Sequence, residues 1–448
     1  MHADRLLKYR PDEMADEMPD PKPGRLHREL GVASAVMMGL GSIVGTGVFV
    51  SIGIAAGVSG GSVILAIPLA AMVATCNALS SAQLAASHPI SGGTYEYGYH
   101  FLKPWLGFSA GWMFLSAKSA SAATAALGFS GYLLHALGAD AGGWLVLVAA
   151  LTALVLTAIV LMGIRKANWT NILIVTLTWF ALGLFVLVGV VHLLRIGTGN
   201  LLPLLPRLTL GGWPGFLEAS ALMFVAFTGY GRIATLGEEV RDPRRTIPRA
   251  IVMTLVLSAS LYVAVGIVAV GAEGPEALAA ATIGEAAPLE VVAESFRVPG
   301  VPLIVAIGAM TAMLGVLLNL ILGLSRVLLA MGRRGDMPQA VATLNASRTT
   351  PYVAVAVVGL IIAGLVTIGN VKTTWSFSAF TVLVYYAITN VAALALPTSE
   401  RLYPRAFAWG GLAACLFLAF WVDRSVWLSG LALLGVGLLW HVFSRRQK

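Results

Sequence analysis

Residues 38–53 read MGLGSIVGTGVFVSIG, and this first long apolar run of the chain carries five glycines, with Thr46 between two of them. A run this apolar is expected to cross a membrane as a helix, yet glycine surrenders the most backbone freedom on becoming helical. Inside lipid an unpaired peptide group is also costly. Two readings fit. Small residues let two helices approach closely. Alternatively the helix is broken here, which membranes tolerate only where protein or a water-filled cavity covers the freed backbone. Periodicity alone does not choose between them.

Around this run, 58% of the 448 residues are hydrophobic and only 11% are charged. Soluble domains carry about 25% charged residues, so the composition is that of a polytopic membrane protein, and mean hydropathy is +0.85. Apolar runs recur at 33–57, 62–87, 106–134, 143–163, 170–194, 213–237, 250–272, 299–329, 352–369, 374–396, 404–421 and 425–443. Each approaches the roughly 20 residues that cross a bilayer. The spacing predicts an all-α protein with twelve transmembrane helices.

The formal net charge of +8 is unevenly placed. With the N-terminus inside, 22 of the 29 Lys and Arg fall in cytoplasmic segments and 5 outside, while Lys118 and Arg232 lie within spans. Positive loops stay inside, so both termini are expected in the cytoplasm of a cell-membrane protein, and the basic balance speaks for a bilayer rather than nucleic acid. Residues 1–30 read as a cytoplasmic tail, without the core and cleavage pattern of a signal peptide. Cys76 and Cys415 both lie in spans, which offers neither a disulfide framework nor a thiolate metal site. No cofactor or metal is expected. The spans also hold no nucleophile with an adjacent base, so an enzyme is not expected.

A second interrupted run, FVAFTGYGRIATLGEEVRDPRRTIPRAI, occupies 224–251. Gly229 and Gly231 weaken the sixth span near mid-membrane, and Arg232 is expensive to bury there. Broken spans at corresponding positions of two halves point to a transporter with inverted repeats and a site between them. Spans one and six are five apart, so the second repeat enters the membrane from the opposite side.

GLGSIVGTGVFV (39–50), SSAQLAASHPISGGTYEYGY (80–99), the segment ending EEVRDPRRTIPRAI and SRVLLAMGRRGDMP (325–338) resemble the amino acid-polyamine-organocation superfamily, in particular its bacterial amino acid permeases. The likeness runs in order from about residue 28 to 400. It implies the leucine-transporter fold, with discontinuous helices 1 and 6, residues 31–195 and 210–396 as inverted five-helix repeats, and 400–448 as two peripheral helices and the C-terminus. If span one unwinds at Gly45-Thr46-Gly47, the following half-helix presents N–H groups and a positive dipole end to a substrate carboxylate. Carbonyls of Ile43, Val225, Ala226 and Thr228 are then placed to accept from an α-ammonium group. Wall residues implied for the substrate side chain include Ala117, Ser121, Phe227, Tyr230 and Val316, each equally readable as helix packing; Phe227 or Tyr230 would gate the site.

The chain departs from the family pattern at its coupling positions. An acidic residue common after the sixth-span motif is replaced by Gly231 and Arg232, and the fifth-span Lys of proton-coupled members falls at Leu177 or Thr178. Sodium ligands would be the carbonyls of Gly41 and Val44 with eighth-span hydroxyls, where Leu314 and Gly315 stand, with Thr311 a turn earlier. Lys118, in the third span with no carboxylate near it in sequence, is the candidate to take and release a coupled proton, since desolvated lysines can lose theirs; capping of carbonyls at a helix break is the alternative. Arg232 stays charged and fits a structural role, a pairing with Glu218, or a substrate carboxylate.

The run Glu238, Glu239, Arg241, Asp242, Arg244, Arg245 is expected to hold an inward gate, with Arg333 and Arg334 as partners. The acidic stretch 273–298 is long enough for short helices and reads either as an external lid or as a solvated connection. His88 and His100 read as interface residues. Together these features predict secondary transport of amino acids by alternating access, as proton-coupled uptake of neutral amino acids. Exchange or facilitated transport without ion coupling, and sensing without transport, stay open. Oligomeric state is not legible.

Overall fold

The computed structural model describes residues 30–88, 92–139, 141–163, 168–202, 212–234, 240–345 and 350–446. The N-terminal tail, Arg165, Lys166, Glu238 and Glu239 lie outside the described residues. The first apolar run folds as three pieces, α1 (Val32–Ile43), α2 (Thr46–Phe49) and α3 (Ser51–Ser59), with Val44 and Gly45 out of helical conformation between the first two. Then come α4 (Val63–Ser87), α5 (Thr94–Phe101), α6 (Pro104–Ala136), α7 (Ala141–Leu161) and α8 (Asn168–Ile196). The sixth run is α9 (Gly212–Phe227), a 3-10 turn at Thr228–Tyr230 and α10 (Gly231–Ala234). The remainder is α11 (Pro243–Gly284), α12 (Pro288–Ser295), α13 (Val301–Arg334), α14 (Tyr352–Val366), α15 (Val371–Ala395), α16 (Arg405–Ala419) and α17 (Arg424–Arg446).

A helix thus stands at each of the twelve expected positions. By length and composition, 7 stretches of the described residues are long and apolar enough to cross a membrane: Thr46–Ser87, α7, Thr170–Ile196, α11, α13, α15 and Arg424–Ser444. The other positions fall short for local reasons. The first and sixth runs are broken, α14 and α16 have 15 residues each, and α6, with 33, is rich in Ala, Ser and Gly around Lys118. That small-residue composition has its own use, because it lets backbones pack closely. Helix α6 lies against α15, α13 and α7, and a methyl group on Gly128 would stand 2.7 Å from Met313 Sδ.

Helix ends follow their sequence signals. Pro104 opens α6, where a missing N–H costs nothing; Asn370 caps α15 by accepting from the N–H groups of Lys372 (2.8 Å) and Thr373 (3.2 Å). Helix α11 runs past its expected end and kinks at Gly274, at φ 83°, so 275–284 and α12 turn the acidic stretch 273–298 largely helical. Ahead of α1, Leu30 accepts from Arg241 N–H at 2.9 Å and ties the chain's entry to the segment before α11. Exposed Leu151, Leu187, Leu360, Phe417 and Leu439 lie on the outer helices α7, α8, α14, α16 and α17, an apolar belt suited to lipid tails.

Candidate functional site

The two breaks are built against each other. A methyl group on Gly229 would overlap the Ser42 carbonyl and stand 2.6 Å from Ile43 N, and one on Gly47 would stand 2.7 Å from Ala226 Cβ and 2.9 Å from its Cα. Each glycine is therefore a point where one broken helix lies on the backbone of the other. Both readings of 38–53 hold together: the helix breaks, and the break is closely packed. No backbone hydrogen bond from the N–H of Gly45, Thr46 or Gly47 is found among the described residues.

Freed carbonyls in a dry interior need donors, and hydroxyl groups supply them here. Tyr262 Oη donates to Ile43 O at 2.8 Å and lies 3.4 Å from Ala226 O. Thr228 Oγ1 donates to Val225 O at 2.8 Å, and Tyr386 Oη reaches Thr228 O at 3.4 Å. These are the same four carbonyls expected to face an α-ammonium group. A carbonyl oxygen has two lone pairs; that of Thr228 also accepts from the Gly231 N–H.

Ile43, Thr46, Gly47, Lys118, Ser121, Val225, Ala226, Thr228 and Val316 line one small cavity of about 50 Å³, together with Ser42, Gly229, Leu320 and Trp375. Gly45 lies beside it, where an added methyl would meet Val316 Cγ2 at 2.6 Å. Ala117, Phe227 and Tyr230 do not line it; all three are fully buried, and Phe227 packs on Tyr262 with ring centroids 5.1 Å apart. Lys118, 9% exposed, donates from Nζ to Thr228 Oγ1 at 2.8 Å, so its charge is joined through one hydroxyl to the Val225 carbonyl. At the other coupling positions the hydroxyls serve their own helices: Thr178 bonds Ile174 O and Thr311 bonds Ile307 O and Gly308 O.

Beside the small cavity, across Ser42, Lys118, Thr228, Gly229, Val316 and Leu320, which line both, lies a vestibule of about 630 Å³, lined also by Arg232, Arg326, Arg333 and Arg334 with Glu96. At its mouth Arg334 grips Glu96 through both carboxylate oxygens, at 3.0 and 2.7 Å, and lies 4.1 Å from the Tyr99 ring centroid. Glu96 stands on α5; of the 238–245 run expected to partner Arg334, Glu238 and Glu239 lie outside the described residues, and Asp242 lies 3.7 Å from Arg245, one turn on. Buried Asp336 accepts from Tyr95 (2.7 Å) and Tyr99 (2.6 Å) beside this pair. His88 and His100 stack at 4.0 Å.

At the opposite end, Tyr132 Oη donates to Phe49 O at 2.9 Å and accepts from Leu289 N–H at 3.2 Å, tying the 273–298 segment to α2. His135 Nε2 lies 3.2 Å from Glu294 Oε1, and its Nδ1 is 2.6 Å from Glu285 Oε2 but off the line a hydrogen bond needs. Glu290 is buried at 3% exposure, and burial, then Glu294 and Glu285, push its carboxyl up to about 8.

Sequence reading missed Tyr262, Trp375, Leu320, Tyr386 and Glu96. Tyr262 had a findable signal: Thr254, Ser258 and Tyr262 recur at four-residue spacing in a span whose one other hydroxyl residue is Ser260, which puts three hydroxyls on one helix face.

Residues 30–446 match the family model described as amino acid permease. An uncharacterized transporter of Mycobacterium tuberculosis is 43% identical over 94% of this chain and 92% of its own length. The branched-chain amino acid permease BcaP of Bacillus subtilis is 29% identical over 94% of each chain. The crystal structure of MhsT in complex with L-phenylalanine matches with a TM-score of 0.60 at 16% identity, covering 94% of this chain and 99% of that one, a likeness of fold. These relatives are permeases and transporters, not enzymes.

Proposed function

Because the chain belongs to the amino acid permease family, we propose that it carries neutral amino acids across the cell membrane by alternating access, with Lys118 as the proton carrier. The observation that carries this reading is the meeting of the two breaks, whose carbonyls and unpaired N–H groups surround one cavity that adjoins the vestibule. Backbone N–H groups of Gly45 to Gly47 take the carboxylate, and the carbonyls of Ile43, Val225, Ala226 and Thr228 take the ammonium. Lys118 touches this set through Thr228, whose hydroxyl relays a proton on its amine to the substrate-binding Val225 carbonyl. Arg232 adds fixed positive charge to the vestibule, which disfavours cationic substrates.

In this reading residues 31–195 and 210–396 are inverted repeats, 400–448 are peripheral, twelve spans cross the membrane and both termini are cytoplasmic. The vestibule then opens inward, and the 273–298 segment closes the outer face. Exchange without ion coupling is the second reading; the Lys118–Thr228 bond favours it to the extent that Lys118 serves only to cap the break. Counterflow of labelled alanine in proteoliposomes tests transport itself. Exchange that saturates supports the proposal, and its absence in folded, reconstituted protein rejects it.

A further inference from the structure

Resting on that transport reading, we infer that the substrates are amino acids with a small or hydroxyl-bearing side chain, alanine and serine rather than the branched-chain or aromatic ones, and that Val316 and Thr46 set this preference. The cavity at the breaks measures about 50 Å³. A single water needs roughly 10–15 Å³ on this measure, so the space holds about four water-sized positions. A zwitterion with a methyl or hydroxymethyl group fills such a space, whereas an isobutyl or benzyl group overfills it.

The walls that set this size are rigid. On one side stand the glycine contacts between the breaks, which cannot retreat because they are backbone on backbone. Opposite them, Val316 presses on Gly45 at a distance that leaves no room for even a methyl group, and Leu320 follows one turn along α13. Above, Trp375 is 3% exposed and is fixed by its indole N–H, which donates to Leu222 O at 3.0 Å. A branched side chain would have to displace a β-branched residue or an anchored indole.

The polarity of the cavity points the same way. Thr46 lines it with a hydroxyl that is buried and has no hydrogen-bond partner among the described residues. Buried hydroxyls are rarely left unpaired, and a ligand hydroxyl would complete this one. Ser121, on the facing helix, pairs with Ser378 at 2.7 Å in a bond that either oxygen can donate, so it can turn a lone pair or a proton toward the ligand. A site built to bond a hydroxyl penalises the analogue that lacks it more strongly than an apolar pocket penalises one extra methylene.

The test is competition for alanine counterflow in proteoliposomes by serine, alanine, 2-aminobutyrate, leucine and phenylalanine, in wild type, Thr46→Val and Val316→Ala. The inference expects serine and alanine to compete about tenfold or more better than leucine, the order of discrimination that pocket size supplies. Serine should beat 2-aminobutyrate, which matches it in shape without the hydroxyl, and Thr46→Val should erase that difference. Val316→Ala should admit leucine. Leucine competing as well as alanine in wild type would overturn the inference while leaving transport intact, and an unchanged serine preference in Thr46→Val would overturn the role of Thr46. If folded wild type exchanges no amino acid, the transport reading falls and this inference falls with it; the wild-type series decides the size claim even where a variant fails to fold.

Discussion

Gly229 rests on the peptide between Ser42 and Ile43, so closely that an added methyl group would overlap the Ser42 carbonyl. The contact joins the second half of the protein to the first at the place where both helices are interrupted. Overpacking against backbone costs about 1–3 kcal/mol, because nothing flexible can yield. Gly229→Ala is therefore expected to lower the thermal midpoint and to reduce alanine exchange at least tenfold. Gly231→Ala is the control: the nearest atom to its new methyl would be Tyr386 Oη at 3.3 Å, and exchange should stay within a few-fold of wild type. Counterflow rates and thermal unfolding of both variants measure the contrast.

Tyr262→Phe keeps the ring against Phe227 and removes only the hydroxyl that serves Ile43 O and Ala226 O. A buried carbonyl stripped of its donor costs about 1–3 kcal/mol. The variant should lose stability on that scale, and bound amino acid should recover part of it, since the ammonium replaces the missing donor. Thermal unfolding with and without saturating alanine shows this as a larger ligand-induced shift in the variant than in wild type.

At the vestibule mouth the partly exposed Arg334–Glu96 pair and the buried Asp336 cluster should respond differently. Exposed ion pairs are worth about 0–1 kcal/mol, so Glu96→Gln should leave the thermal midpoint nearly unchanged. Asp336→Ala strands the buried hydroxyl of Tyr95 and that of Tyr99 together, at about 1–3 kcal/mol for each unsatisfied group. Its midpoint should fall several times further than that of Glu96→Gln in a side-by-side melt.

Glu290 makes the outer segment sensitive to pH. Its carboxyl titrates near 8 in the folded protein against 4.5 for the ordinary group. Folding therefore favours its protonated form, and the stabilisation, complete below 4.5, is lost as pH rises through about 8. Hydrogen exchange of amides in 285–296 should accelerate relative to the rest of the protein between pH 5 and 9, after correction for intrinsic rates. In Glu290→Gln, which has nothing to titrate, that relative change should shrink.

What could be read without coordinates follows physical lines. The breaks at Val44–Gly45 and at Thr228–Tyr230, the first one residue ahead of the expected Gly45-Thr46-Gly47, were legible because glycine and charge inside an apolar run violate the rule for a spanning helix. Lys118 was legible for the same reason. The partners of those groups were not, because side chains such as Tyr262, Trp375 and Tyr386 come from other helices, and an aromatic residue in an apolar run looks the same in sequence whether it fills core or caps a carbonyl. Ala117, Phe227 and Tyr230 do not line the small cavity: helical spacing gives a face, and only packing decides what the face meets. The Arg334–Glu96 pair joins residues 238 positions apart, a juxtaposition that no local pattern encodes.

The most direct measurement is uptake of labelled alanine into proteoliposomes under an imposed proton gradient, comparing wild type with Lys118→Ala. The account predicts gradient-driven accumulation in wild type that disappears in the variant while counterflow exchange persists. Uptake indifferent to the gradient, or accumulation undiminished in Lys118→Ala, would contradict it.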